Sequence, residues 1–212
     1  MHARAAPSGC AERRVTSSAV FSDLLSRPGV EEHVRLRSRC GFLALHGGLE
    51  QGTAEMAQAA AQASGASLYA VVQPAELRWH LPAHRISAPD APTLAAFLDH
   101  VDVVVSLHGY RRPDLPTAVL VGGANRVLAA RLGAQLRRAL PDCEVVDDLT
   151  MIPAGLRGVH PHNPVNLSRG GGIQLELPHR VRFAARDAHR SGPSAAERVV
   201  DTLAAFATTT AA

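Results

Sequence analysis

Apolar residues along this chain fall into short unbroken runs, separated by stretches in which they recur every three or four positions. Residues 41–45 (Gly-Phe-Leu-Ala-Leu), 67–72, 101–107 (broken by Asp102) and 118–121 are apolar almost throughout, which predicts strands covered on both faces. Residues 34–37 alternate and predict an edge or half-buried strand. Residues 173–177 (Ile-Gln-Leu-Glu-Leu) also alternate, with Gln174 and Glu176 on the face opposite the aliphatics. Helices are predicted at residues 20–25, 54–63, 93–98, 125–140 and 195–206. The second has Thr53 as its expected N-cap and Glu55 near its positive end. The fourth carries Leu128, Leu132 and Leu136 on one side, with Arg126, Arg137 and Arg138 as an expected solvated face. Strands alternating with helices predict a single three-layer α/β/α domain, an α/β fold with a mixed, mostly parallel open sheet. The domain is expected over residues 19–208, behind a mobile N-terminal arm, residues 1–18, rich in Arg, Ala and Ser without periodicity.

Composition narrows this picture. Of 212 residues, 46% are apolar but only 4% aromatic, so the core must be aliphatic. This composition excludes an extended disordered chain, a coiled coil and a collagen-like repeat. All 22 basic residues are arginine, which rules out lysine chemistry such as Schiff bases or a Walker-type phosphate lysine. A net charge of +3 is too small for a dedicated nucleic-acid binder, and it is compatible with an anionic substrate. Cys10, Cys40 and Cys143 form no Cys-x-x-Cys pair, so neither a disulfide framework nor a thiolate metal site is indicated, and a reducing compartment is expected. The first residues lack the apolar core of a secretory signal, and no apolar run approaches the ~20 residues of a membrane span. The expectation is a soluble, cytoplasmic protein; its oligomeric state is left open.

Candidate chemistry gathers where strands end. Two buried strands stop at His-Gly pairs, His46-Gly47 and His108-Gly109. In open α/β sheets ligands bind at the carboxyl ends of strands. Glycines after His46 allow the sharp turn that would bring Glu50 back to it. Two imidazoles and a carboxylate, with a fourth position for water, match the donor set of catalytic zinc. Glu55 competes with Glu50 for the carboxylate position, and either residue also suits a helix start. Glu176 is either part of a solvent-facing polar side of an edge strand or a carboxylate beside the metal that accepts a proton from water. In the loop upstream lie Asn163, Asn166 and Arg169. Arg169 either forks onto a substrate carboxylate or caps a turn.

Over residues 20–182 the chain resembles the phage-type poly-γ-glutamate hydrolases, also called phage-related replication proteins, which are similar in fold to zinc carboxypeptidases. The resemblance rests on Leu45-His46-Gly47-Gly48-Leu49-Glu50 and its continuation to Glu55, on Ser106-Leu107-His108-Gly109, on Val121-Gly122-Gly123, and on Asn163 to Arg169 leading into Gly172 to Leu177. It implies an endo-acting, zinc-dependent hydrolase of γ-glutamyl amide bonds, with one zinc per chain and an anionic, glutamate-containing substrate. By motif position His46, Glu50 and His108 would be the ligands and Glu176 the general base. Arg169 with Asn166 would hold a substrate carboxylate, Asn163 would lie beside them, and His80 would border the cleft. The same centre acting on small N-acyl amino acids or cell-wall peptides, or a phage-derived binding protein without catalysis, are the rival expectations.

Overall fold

Seven strands form one sheet, β1 (Glu31–Arg35), β2 (Cys40–Gly47), β3 (Ser67–Val72), β4 (Val103–Tyr110), β5 (Val119–Gly122), β6 (Val145–Val146) and β7 (Gly172–Pro178). The computed structural model describes residues 19–183 and 192–210; the expected N-terminal arm lies outside the described residues. The strand order is β1-β3-β2-β4-β7-β5-β6. Strands β3, β2, β4 and β7 run parallel, while β1 and the β5–β6 pair run against them. The sheet is therefore mixed and mostly parallel, as the alternation of elements predicted.

Helices cover both faces. On one, α2 (Thr53–Ser64), α4 (Arg126–Ala139) and α6 (Ala195–Thr210) bury Phe42, Ala44, Val105, Leu107 and Leu175 beneath Leu132, Leu136 and Phe206. Ala57, Ala60 and Ala61 on α2 are buried, so this helix lies close to the sheet. On the other face, α1 (Ala19–Leu25) and α3 (Pro92–His100) pack Phe21, Leu24, Leu94 and Phe97 onto Leu43, Leu45, Tyr69 and Val71. Burying each such aliphatic or aromatic side chain contributes roughly 1.5–3 kcal/mol, which holds the layers together without staples. Among the described residues no helix is long and apolar enough to cross a membrane.

Several elements differ from expectation for identifiable reasons. Strand β7 lies between β4 and β5 and is buried throughout, so the polar side of Ile-Gln-Leu-Glu-Leu faces the interior and not solvent. Strand β1 starts three residues earlier than expected but is an edge strand, as one of the two expected readings had it, with its side chains exposed; β6 is the other edge. Thr53 lies inside α2; Gly52, in the left-handed conformation, is the N-cap, and the Thr53 hydroxyl donates to the Glu50 carbonyl (2.8 Å). Arg126 and Arg137 are not merely solvated. Arg126 donates to the carbonyls of Val121, Gly123 and Asp147, and Arg137 to that of Val145 (3.2 Å), so both tie α4 to the ends of the strands.

Candidate metal centre and its cleft

The carboxyl ends of β2, β4 and β7 meet at one rim of the sheet. Short turns at Ala83–Arg85 and Ala154–Leu156, in the two long polar loops, wall a cavity of about 650 Å³ above the strand ends.

Local backbone geometry brings His46 and Glu50 together. The pairing of β2 with β3 shifts register between Ala44 and Gly47, and the irregularity turns His46 out of the alternation set by Phe42 and Ala44. Its ring reaches the second face, where Nε2 lies 2.8 Å from the Leu81 carbonyl. The Glu50 amide then donates to the His46 carbonyl (2.7 Å), closing a turn that returns the carboxylate over the imidazole. Gly48 makes this turn possible: its φ is 77°, and a Cβ there would collide with the Gln73 carbonyl.

The Glu50 carboxylate stands between two imidazoles. Oε1 is 3.0 Å from His46 Nδ1, Oε2 is 3.4 Å from His108 Nδ1, and Oε2 also accepts from the Gly109 amide (2.9 Å). Donor atoms of the three residues lie within 4.8 Å of one another, and both histidines are buried. The outer nitrogens are engaged as well, His46 Nε2 by Leu81 and His108 Nε2 by Ser106 Oγ at 3.0 Å. A carbonyl can only accept, so His46 carries its proton on Nε2. In the neutral ring Nδ1 is then a lone pair aimed at a carboxylate. That arrangement calls for a cation between them: a second proton on the ring, or a metal ion. Burial opposes ionisation of Glu50, but His108 and then His46 outweigh it and hold the carboxyl well below its ordinary range. Burial likewise opposes charging of His46, yet Glu50 outweighs it and the imidazole is raised. A buried N, N, O donor set with both rings oriented from behind fits a divalent metal.

Glu176 completes the group. It stands at the position of β7 paired with His108 on β4, buried, in the wall of the same cavity. Burial, and then the charge of Glu50, push its pKa well above the ordinary carboxylate value, while the Gln174 hydrogen bond pulls the other way. Asn163 Nδ2 donates to Gln174 Oε1 and Gln174 Nε2 to Glu176 Oε1, each at 2.9 Å, which makes a fixed relay beneath the carboxyl.

The remaining expected residues divide. His80 borders the cleft, its ring 4.8 Å from that of His46, and burial followed by the His46 charge lowers its pKa. Asn163 lines the cleft but acts on Gln174. Asn166 is taken up by the backbone: it donates to the carbonyls of Gly158 and His160 and accepts from the Ala124 amide, pinning three loop segments. Arg169 is also elsewhere. It precedes β7, is 80% exposed, and lies 3.6 Å from Asp102 at the start of β4, at the opposite end of the strands from the histidines. Glu55 is exposed on α2 and takes no part in the donor group. Sequence reasoning missed Ser106, although alternation places it on the face of His108. It also missed the Leu81 carbonyl and the Gly109 amide, which no side-chain pattern announces.

A metal-fitting His-Glu-His group at parallel strand ends, with a buried carboxyl beside it, defines a site of the metallohydrolase class. A sequence profile of the poly-gamma-glutamate hydrolases matches residues 22–208, and the chain belongs to that family of hydrolases. Its fold is similar to that of a bacteriophage poly-gamma-glutamate hydrolase, at 20% identity and a TM-score of 0.71, covering 89% of this chain and 93% of that one. It is similarly close to YndL in its zinc-free form, at 24% identity and a TM-score of 0.71, covering 87% and 93%. A metallo-carboxypeptidase from Burkholderia cenocepacia is a more distant likeness, at 12% identity and a TM-score of 0.47, covering 91% and 67%. No curated protein matches the chain.

Proposed function

We propose that this protein cleaves γ-glutamyl amide bonds of poly-γ-glutamate, with one zinc ion held by His46, Glu50 and His108 and with Glu176 as the general base. The observation that carries the reading is the pair of oriented imidazoles converging on one carboxylate beside a second, buried carboxyl. Family membership supports the choice of substrate. The free thiols Cys40 and Cys143 suit the expected reducing cytoplasm.

The bound ion supplies Lewis acidity, activating water and polarising the scissile carbonyl. The Leu81 carbonyl holds His46 in the tautomer that leaves Nδ1 free, and Ser106 fixes the orientation of the His108 ring. Glu176 accepts the proton of the attacking water as the new C–O bond forms. It delivers that proton to the leaving amine as the C–N bond breaks. A carboxyl kept from ionising easily can hold the proton between the two transfers. Gln174, braced by Asn163, fixes the carboxyl's orientation.

The test is Glu176→Gln in the full-length chain. It should retain about one zinc per chain while turnover on poly-γ-glutamate falls about 10²–10⁴-fold. Near-normal hydrolysis would remove Glu176 from the base role. Wild-type protein that releases glutamate from N-acyl glutamate but leaves the polymer intact would reassign the substrate. Failure to bind any divalent metal would leave a non-catalytic protein on this fold.

A further inference from the structure

A second cavity, of about 320 Å³, opens beside the first and shares Glu50 and Gly109 with it. The two cavities therefore flank the donor group. Their linings differ in charge. The first presents His80, His84 and His160; the second presents Arg78, Arg111 and Arg182, and among the described residues Glu50 is the only carboxylate lining it.

Each arginine is placed for a reason other than packing of the core. Arg182, on the short helix α5 (His179–Arg182), donates Nε to the Leu177 carbonyl (3.2 Å) and Nη1 to the Gln51 carbonyl, so its guanidinium is fixed. Gly109 admits it: a Cβ there would lie 2.5 Å from the Arg182 Cζ. Arg111 directly follows β4. Its neighbour Arg112 is neutralised by Asp114 at 2.9 Å, whereas Arg111 is exposed and has no carboxylate partner among the described residues. Arg78 is the one non-glycine residue among those described with positive φ, at 43°. Buried Gln73 holds the next residue on both sides, accepting from the Trp79 amide (3.1 Å) and donating to its carbonyl (3.0 Å). The strained backbone thus presents Arg78 to the cleft, exposed and without an ion pair among the described residues.

Three guanidinium groups around one concavity, with no counter-charge among the described residues beyond the donor group's own Glu50, make a site for anions. Planar forked donors match carboxylates in particular. We propose that this cleft is the carboxylate-binding subsite of the enzyme. It would engage the free carboxylates that a γ-linked glutamate chain carries on every residue, on one side of the scissile bond, and so take the role first expected of Arg169. The inference rests on the function proposed above. The contrast with the histidine-lined cavity gives the bound polymer a direction, because one side of the cut is read by charge and the other is not.

The experiment uses full-length, zinc-loaded protein with Arg78→Gln, Arg111→Gln and the double variant, and with Arg112→Gln as control. Each is assayed for turnover of poly-γ-glutamate and of the same polymer with its carboxylates esterified. Binding of a short γ-glutamate oligomer to the same variants is measured on the Glu176→Gln background. Each single variant should raise KM and Kd for the free-acid polymer and oligomer about tenfold, and the double variant more, with the loss in KM exceeding that in kcat. Lysine at both positions should restore part of the binding. Arg112→Gln should match wild type, and KM for the esterified polymer should not respond. Wild-type turnover with KM and Kd insensitive to Arg78 and Arg111 would overturn the subsite and leave the function standing. Arginine-dependent oligomer binding without wild-type turnover would overturn the function and leave the subsite. Absence of both would overturn both.

Discussion

His108 and Glu176 stand at directly paired positions on β4 and β7, buried on the same face of the sheet. Adjacent strands lie about 4.8 Å apart, so backbone hydrogen bonding, not loop conformation, sets the distance from the imidazole to the carboxyl. The next pair inward on that face, Ser106 and Gln174, repeats the relationship. Ser106 holds His108 and Gln174 holds Glu176. The site is thus two tiers of one strand pair: an outer tier that carries the imidazole and carboxyl of the proposed chemistry and an inner tier that orients them.

Removing the inner partner of the ligand should weaken the metal before it disturbs the fold. Ser106→Ala deletes the hydroxyl 3.0 Å from His108 Nε2 and leaves the ring free to rotate. Zinc affinity is expected to fall about 10–100-fold, as for loss of other groups that orient metal ligands. Titration against a competing chelator measures it. An unchanged affinity would mean that His108 is fixed by packing alone.

Much of this was readable from the chain, and the exceptions share a cause. Runs such as 41–45 and 101–107 announced buried parallel strands because both faces are covered, and the two His-Gly pairs fell at the strand ends that an open α/β sheet uses. Alternation in Ile-Gln-Leu-Glu-Leu gave the faces of β7 but could not tell edge from interior, since an inward polar face and a solvent-facing one have the same spacing. Arg169 was expected at the substrate by motif position alone, and a motif match does not say at which end of a strand its loop stands. A strand rises about 3.3 Å per residue, so the start of β7 and Glu176 lie at different ends of the sheet. Arg78, Arg111 and Arg182 carry no signal at all in a chain whose 22 basic residues are all arginine.

The metal-free protein should lose stability in two directions of pH. The Glu50 pKa is depressed on folding, so its contribution is present above the unfolded value, about 4.3, and is lost as pH falls through the folded one. His46 is raised, so its contribution is full below about 6.5 and is lost as pH rises through the folded value. A zinc ion held by His46 and Glu50 would take the proton's place and would not be lost as pH rises through the folded value of the imidazole. The rise in Tm on adding zinc should therefore grow from pH 6 to pH 8. At a hundredfold excess over Kd the stabilisation is about 2.7 kcal/mol, or roughly 5–10 °C for a chain of this size. Melting curves with and without zinc across that range test it; a shift that shrinks with pH would contradict the assignment of His46.

Arg169→Ala should be silent. Its guanidinium is 80% exposed, its ion pair with Asp102 is long at 3.6 Å, and it stands away from the donor group. KM for poly-γ-glutamate, zinc content and Tm should all match wild type. A KM raised tenfold would return the substrate carboxylate to this loop and count against the arginine cleft.

The sharpest test of the base concerns its neighbour. Gln174 donates to Glu176 Oε1 and lowers a pKa that burial and the Glu50 charge have raised. Gln174→Met fills similar space and cannot donate, so the Glu176 pKa should climb further. A general base works only when deprotonated, and kcat/KM therefore falls as pH drops through that pKa. The acid limb of the pH–rate profile should move to higher pH, with activity reduced severalfold on the acid side and the high-pH plateau nearly kept. Asn163→Ala, which frees Gln174 without removing its amide, should move the limb the same way and less far. An acid limb that stays in place in both variants would show that some group other than Glu176 takes the proton.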